Sequence, residues 1–163
     1  MKKLKVAIAG LGTIGSGVAH ILEEHSKQSN TKIELIQILE HDHSSNAVKT
    51  WMKKNQKLFC KNPDVIIDNQ EIDVIVETIG GKEFARDLII KALENGKHVI
   101  SANKDLIAVH GKELIEIARK NKRHLLFEAA VAGAIPVLRL LKDYLHVQDI
   151  KAMRGILNGT TNY

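Results

Sequence analysis

One cysteine, two prolines and a 4% share of aromatic residues set the first limits on this 163-residue chain. With Cys60 alone, no intrachain disulfide and no cysteine-based metal site can form, which fits a reducing compartment, and a cytoplasmic location is expected. So few aromatic rings leave little platform for stacking single-stranded bases, and nucleic acid is not an expected partner. No apolar run approaches the roughly 20 residues a helix needs to cross a bilayer, so no membrane role is expected. The opening "MKKLKVAIAGLG" resembles a secretion signal in its basic head and apolar run, but its paired glycines fit a buried strand and turn better. Internal repeats and low-complexity linkers are missing as well.

What remains is a composition of 44% apolar and 26% charged residues, that of a single folded domain with a substantial core. The formal charge of +5 comes mainly from scattered lysines. It serves solubility, and would mildly favour a phosphorylated ligand.

Along the chain, short apolar runs alternate with segments of helical periodicity. Strands are predicted at Leu4–Ala9, Ile33–Leu39, Asp73–Thr78, His98–Ser101 and His124–Phe127. Between them, Ile14, Val18, Ile21 and Leu22 recur at helix spacing, as do Ala85, Leu88, Ala92 and Leu93. Weak helical character is read over 44–58, a helix start at Asn62-Pro63, a helix over Glu113–Asn121 and another from Pro136 to Tyr144. Residues 147–157 read as extended. Such alternation implies an α/β fold, with a mainly parallel, doubly wound sheet and helices on both faces. Ligands of these sheets bind beyond the carboxyl ends of the strands.

The first strand ends in Gly10-Leu11-Gly12-Thr13-Ile14-Gly15, a GxGxxG pattern between a strand and a helix. That is the Rossmann-type context for a dinucleotide. Gly10 would allow the tight turn, Gly12 the approach of a pyrophosphate, and Gly15 the close packing of helix on strand, while the helix N-terminus offers free amides to the phosphates. The plainer alternative is a tight turn with no ligand. Glu40 closes the second strand, where an acid bonds adenosine ribose hydroxyls and repels a 2′-phosphate, so it favours NAD over NADP. As a plain loop acid it would do neither, and Lys49, Lys53 or Lys57 could instead reach a phosphate. His41 and His43, two residues apart, suit no metal pair.

The third strand ends in Glu77-Thr78-Ile79-Gly80-Gly81, where small residues leave room for the nicotinamide-side ribose and Thr78 could hydrogen-bond to it, or else the stretch is a glycine-rich turn into the next helix. Lys104 follows the fourth strand. A cation there would serve a carboxylate or the oxygen of a carbonyl undergoing hydride reduction, although most lysines in a lysine-rich chain are surface residues. Glu128 to Pro136 reads as a tight strand–helix connection whose backbone carbonyls could turn toward a hard cation.

Taken together, "GLGTIGSGV", "VETIGG", "SANKDLIA", "FEAAVAGAIPVLRLL" and "RGILNGTTNY", in this order and at these spacings, closely resemble the nucleotide-binding half of homoserine dehydrogenase. The resemblance covers nearly the whole chain and is weakest over about 41–62. It implies NAD(P)-dependent interconversion of homoserine and aspartate 4-semialdehyde on the route to threonine and methionine. By motif, Gly10, Leu11, Gly12, Thr13, Ile14 and Gly15 would hold the pyrophosphate, Thr78 to Gly80 would border the cofactor, and Lys104 would be the active-site lysine. Glu128, Val131, Gly133 and Ile135 match positions associated with a monovalent cation, Na or K. Many members carry a basic residue near the end of the second strand, where this chain has Glu40.

The family's substrate-binding acids and its acid–base lysine lie beyond "NGTTNY", in a domain that also supplies homodimer contacts. The expectation is therefore a dinucleotide-binding domain over 1–150, with 151–163 leading toward a missing substrate domain, and a chain that binds cofactor but is catalytically incomplete. Two further readings stand beside it. One is a non-enzymatic Rossmann-type nucleotide sensor; the other is the front half of a different semialdehyde or amino-acid dehydrogenase.

Overall fold

The computed structural model describes residues 3–26, 33–133, 135–144, 151–152 and 154–155. The expected extension over 147–157 and the NGTTNY stretch fall largely outside them. Six strands form one sheet: β1 (Leu4–Ala9), β2 (Ile33–Leu39), β3 (Phe59–Cys60), β4 (Val74–Glu77), β5 (His98–Ser101) and β6 (Leu125–Leu126). Every pairing is parallel, and the order is β3-β2-β1-β4-β5-β6. The order reverses between β1 and β4, and the crevice at their carboxyl ends is where such a sheet binds a dinucleotide.

Helices α1 (Thr13–Ser26), α2 (Asn46–Asn55), α3 (Asp64–Ile67), α4 (Glu83–Glu94), α5 (Lys104–Lys120) and α6 (Val137–Tyr144) complete the chain. The two-residue period of the strands divides the core between the faces. Val6 and Ile8 of β1, with Val74 and Val76 of β4, pack with Ala19, Val48 and Trp51 beneath α1 and α2. Their alternates Ala7, Ala9 and Ile75 join Leu88, Ile89, Leu106 and Leu114 beneath α4 and α5. On the first face Trp51 meets His20 edge to face, with ring centroids 5.1 Å apart. On the second, the Arg86 guanidinium of α4 pairs with the Glu113 carboxylate of α5.

Most predicted elements form within a residue or two of their expected ends, and each exception has an identifiable cause. The helix expected over Glu113–Asn121 begins at Lys104, because the Asn103 side chain accepts from the Leu106 amide and caps the first turn. The strand β3 was not expected; its two residues sit in a polar stretch and are recruited by pairing with Ile38 and Leu39. At Asn62-Pro63 the helix starts one residue late, at Asp64, whose amide donates to Asn62 Oδ1 at 2.9 Å. Among the described residues no helix is long and apolar enough to cross a membrane.

Candidate functional site

The turn between β1 and α1 is built around two glycines for different reasons. Gly10 has φ of +93°, and a Cβ there would lie 2.8 Å from Ile79 Cα and from the Thr78 carbonyl oxygen. Its amide donates to the Leu39 carbonyl at 2.8 Å, joining the turn to the end of β2. Gly15 is buried in the first turn of α1, where a Cβ would fall 1.9 Å from the Gly10 carbonyl oxygen. The helix can therefore begin directly against the turn. Gly12 differs: nothing lies within 4 Å of the position its Cβ would take. Gly12, Thr13 and Ile14 are exposed, so the backbone at the N-terminus of the 14-residue α1 faces open space, with no acidic side chain in the first turn. That leaves room and partial positive charge for a phosphate bridge.

Glu40 lies at the next strand end and reaches back to this turn. One carboxylate oxygen accepts from the Leu11 amide at 2.6 Å and the other from the Asp42 amide at 2.9 Å. The acid is thus a fixed part of the glycine turn. His43 hydrogen-bonds the Glu40 carbonyl at 3.0 Å, and among the described residues neither His41 nor His43 joins a group of three or more side chains that could hold a metal. Lys49, Lys53 and Lys57 are exposed on and just after α2.

On the far side of the switch point, Thr78 Oγ1 donates to the Gly10 carbonyl at 2.7 Å, linking the end of β4 to the glycine turn. Gly80 and Gly81 follow with φ of +81° and +69°. Lys104 is the exposed first residue of α5, just past the end of β5. The turn after β1, Thr78 to Gly80, and Lys104 therefore lie along one edge of the sheet, at the carboxyl ends of adjacent strands.

Three polar residues at this edge carried no predicted role. Glu77 and Ser101 are 0% exposed and Asn103 is 8% exposed. Glu77 and Ser101 are register partners in β4 and β5, and the serine hydroxyl donates to the glutamate carboxylate at 2.6 Å. The signal was available in "DVIVET": the two-residue period puts Glu77 on the same inward face as Ile75.

The residues matched to a cation follow β6, one strand beyond β5 at the same carboxyl-end edge of the sheet. Both Glu128 carboxylate oxygens accept backbone amides at the start of α6, from Leu138 at 2.9 Å and Arg139 at 3.0 Å. Glu128 is therefore engaged as a helix cap. Ala132 and Gly133 have φ of +57° and +62°, and the Ile135 amide donates to the Ala132 carbonyl at 3.2 Å. Among the described residues, no group of three or more His, Cys, Asp or Glu side chains could hold a metal. A cavity of about 650 Å³ lies between α5, β6 and α6, lined by Arg119, Arg123, Phe127, Glu128 and Arg139 among others; none of its lining residues belongs to the glycine turn.

Comparison with known proteins agrees with this fold. The family model for the homoserine dehydrogenase NAD-binding domain matches residues 10–128. The chain belongs to this family. A homoserine dehydrogenase of Pseudomonas aeruginosa is 42% identical over 167 aligned residues, which take in 100% of this chain and 37% of that protein. The crystal structure of a homoserine dehydrogenase from Thiobacillus denitrificans superposes with a TM-score of 0.75 at 36% identity, covering 90% of this chain and 34% of the other. A hyperthermophilic archaeal homoserine dehydrogenase in complex with NADPH shares the fold at 22% identity, with a TM-score of 0.66 and coverage of 85% and 48%. The chain thus spans little more than a third of the length of the curated relatives it matches.

Proposed function

We propose that this chain binds a pyridine dinucleotide across the β1/β4 switch point and forms the cofactor half of a cytoplasmic homoserine dehydrogenase. The observation that carries the reading is the open Gly12 backbone, with nothing within 4 Å of its missing Cβ, at the head of α1 in a sheet of order β3-β2-β1-β4-β5-β6. The pyrophosphate lies on Gly10 to Gly15, the adenosine ribose meets Glu40, and the nicotinamide side runs past Thr78, Ile79 and Gly80 toward Lys104. When bound, the nicotinamide supplies the hydride acceptor for an alcohol carbon. Lys104 holds positive charge beside the reacting oxygen, where negative charge builds up.

Glu40 supports NAD over NADP. Its carboxylate is tied to the Leu11 amide, so it cannot swing away from a 2′-phosphate without losing that bond. A monovalent cation, where present, would be held by backbone oxygens of Val131, Gly133 and Ile135 near Glu128, because the Glu128 carboxylate already serves α6. It would supply positive charge beside these backbone oxygens.

In the whole protein, substrate groups and homodimer contacts come from the part of the relatives' length that lies outside the match. The chain therefore binds coenzyme and turns over little homoserine. Calorimetric titration with NADH, NADPH and ADP tests the reading, with binding of all three expected and NADH about tenfold tighter than NADPH. Absence of binding by every dinucleotide overturns it, and homoserine-dependent reduction of NAD by the chain overturns the claim of incomplete catalysis.

A further inference from the structure

A buried carboxylate is costly unless its oxygens are satisfied, and an apolar pair at Glu77 and Ser101 would fill this inward face without that cost. The carboxylate is satisfied in a particular way. Oε2 accepts the Ser101 hydroxyl at 2.6 Å, and Oε1 accepts the Ile79 amide at 2.9 Å. Ser101 Oγ in turn accepts the Asn103 amide at 3.1 Å. The Asn103 side chain then acts in two directions: its oxygen accepts from the Leu106 amide at 3.1 Å, and its nitrogen donates to the Gly81 carbonyl at 2.6 Å.

Each end of this network emerges at the lip of the crevice. One holds Ile79, one holds Gly81, and one sets the first turn of α5, whose opening residue is Lys104. Nothing lies within 4 Å of a Cβ at Gly80 or Gly81 and both have left-handed backbones, so neither residue is itself pinned by packing. The turn is held at one end by Ile79, which packs on the core and donates its amide to Glu77, and at the other by the hydrogen bond from Asn103 to the Gly81 carbonyl.

We propose that Asn103, held by Ser101 and Glu77, is a positioning residue for the nicotinamide half of the cofactor. It locks the Gly80-Gly81 turn to the first turn of α5, so that the turn backbone and Lys104 meet the reactive ring in one fixed arrangement. This rests on the dinucleotide reading above. The adenosine half, on Glu40 and the glycine turn, does not involve Asn103.

That separation supplies the test. Asn103→Ser keeps a capping oxygen for α5 but cannot reach Gly81, and Asn103→Asp keeps the cap and loses the amide donor. Calorimetry on the 163-residue chain compares ADP, which carries the adenosine half alone, with NADH. The parent should bind NADH more tightly than ADP. Both variants should hold ADP within about twofold of the parent and bind NADH about tenfold more weakly, the loss expected for one hydrogen bond's worth of order. Unchanged NADH binding in the variants overturns the proposal. So does a parallel loss of ADP and NADH in both, which would make the network a support of the whole fold. A parent that binds NADH no better than ADP overturns the positioning role while leaving dinucleotide binding intact. A parent that binds neither removes the dinucleotide reading, and the proposal with it.

Discussion

The two halves of the crevice are held by opposite means. On the β1–β2 side the backbone is shaped by absent side chains: Gly10 and Gly15 allow contacts that a Cβ would bring to 2.8 Å and 1.9 Å. On the β4–β5 side the backbone also turns on glycines, Gly80 and Gly81, but a relay of buried side chains holds it, from Glu77 through Ser101 to Asn103. The first device is steric and local, and tolerates no addition. The second is polar and assembled across strands, and tolerates no loss of a donor. Thr78 joins them, donating to the Gly10 carbonyl from the β4 side.

The contrast predicts graded effects. Gly15→Val should be the most damaging, because a Cβ there would press on the Gly10 carbonyl and on Thr78 Oγ1. A loss of at least about 3 kcal/mol is expected in denaturant unfolding, together with all dinucleotide binding. Next, Glu77→Gln turns an amide N–H toward one of two existing donors, the Ser101 hydroxyl or the Ile79 amide. It should cost about 1–3 kcal/mol of stability, read from the same unfolding curves. Gly12→Ala should leave the melting temperature unchanged, since its Cβ meets open space, yet weaken NADH and ADP alike by calorimetry. A melting point that falls with Gly12→Ala, or binding that survives Gly15→Val, would erase the distinction between a glycine kept for the fold and one kept for the ligand.

The smallest effect lies at the opposite end of the sheet and serves as a control. Burial, with His124 and Arg123 nearby, holds the His98 imidazole below its usual range against the pull of Asp73. The unfolded chain then takes up this proton at a higher pH than the folded one. Stability should therefore fall as pH drops from the ordinary histidine range, near 6.5, toward the lower folded value. His98→Asn can keep the acceptor for the His124 amide, which the imidazole now bonds at 3.0 Å, and should flatten that slope in melting curves taken across the range. Coenzyme affinity should not change, because His98 opens β5 and the crevice lies at its other end.

The same contrast explains what could be read in advance. The backbone of the glycine turn was legible because it follows from residue type at short spacing, and the place of Lys104 at a strand's end because that strand is recognisable. The five predicted strands formed, since their apolar runs are buried wherever a sheet places them. β3 was not legible: Phe59 and Cys60 become a strand through Ile38 and Leu39, distant partners that no local window contains. The start of α5 was missed for a similar reason. The helical periodicity was read from Glu113 onward, while the first turn depends on Asn103, itself held by Gly81 and Ser101.

The sequence by itself determined the alternation of strands and helices, the glycine turn and the family, because those depend on hydrophobic period and on residue types at fixed short intervals. Only the tertiary structure decided that Glu77 meets Ser101, that Glu40 closes on the Leu11 amide, and that Glu128 caps α6. The physical reason is range. A hydrophobic period is written within a few residues, whereas a hydrogen bond between strand ends depends on parallel register, and register is set by the packing of the whole sheet.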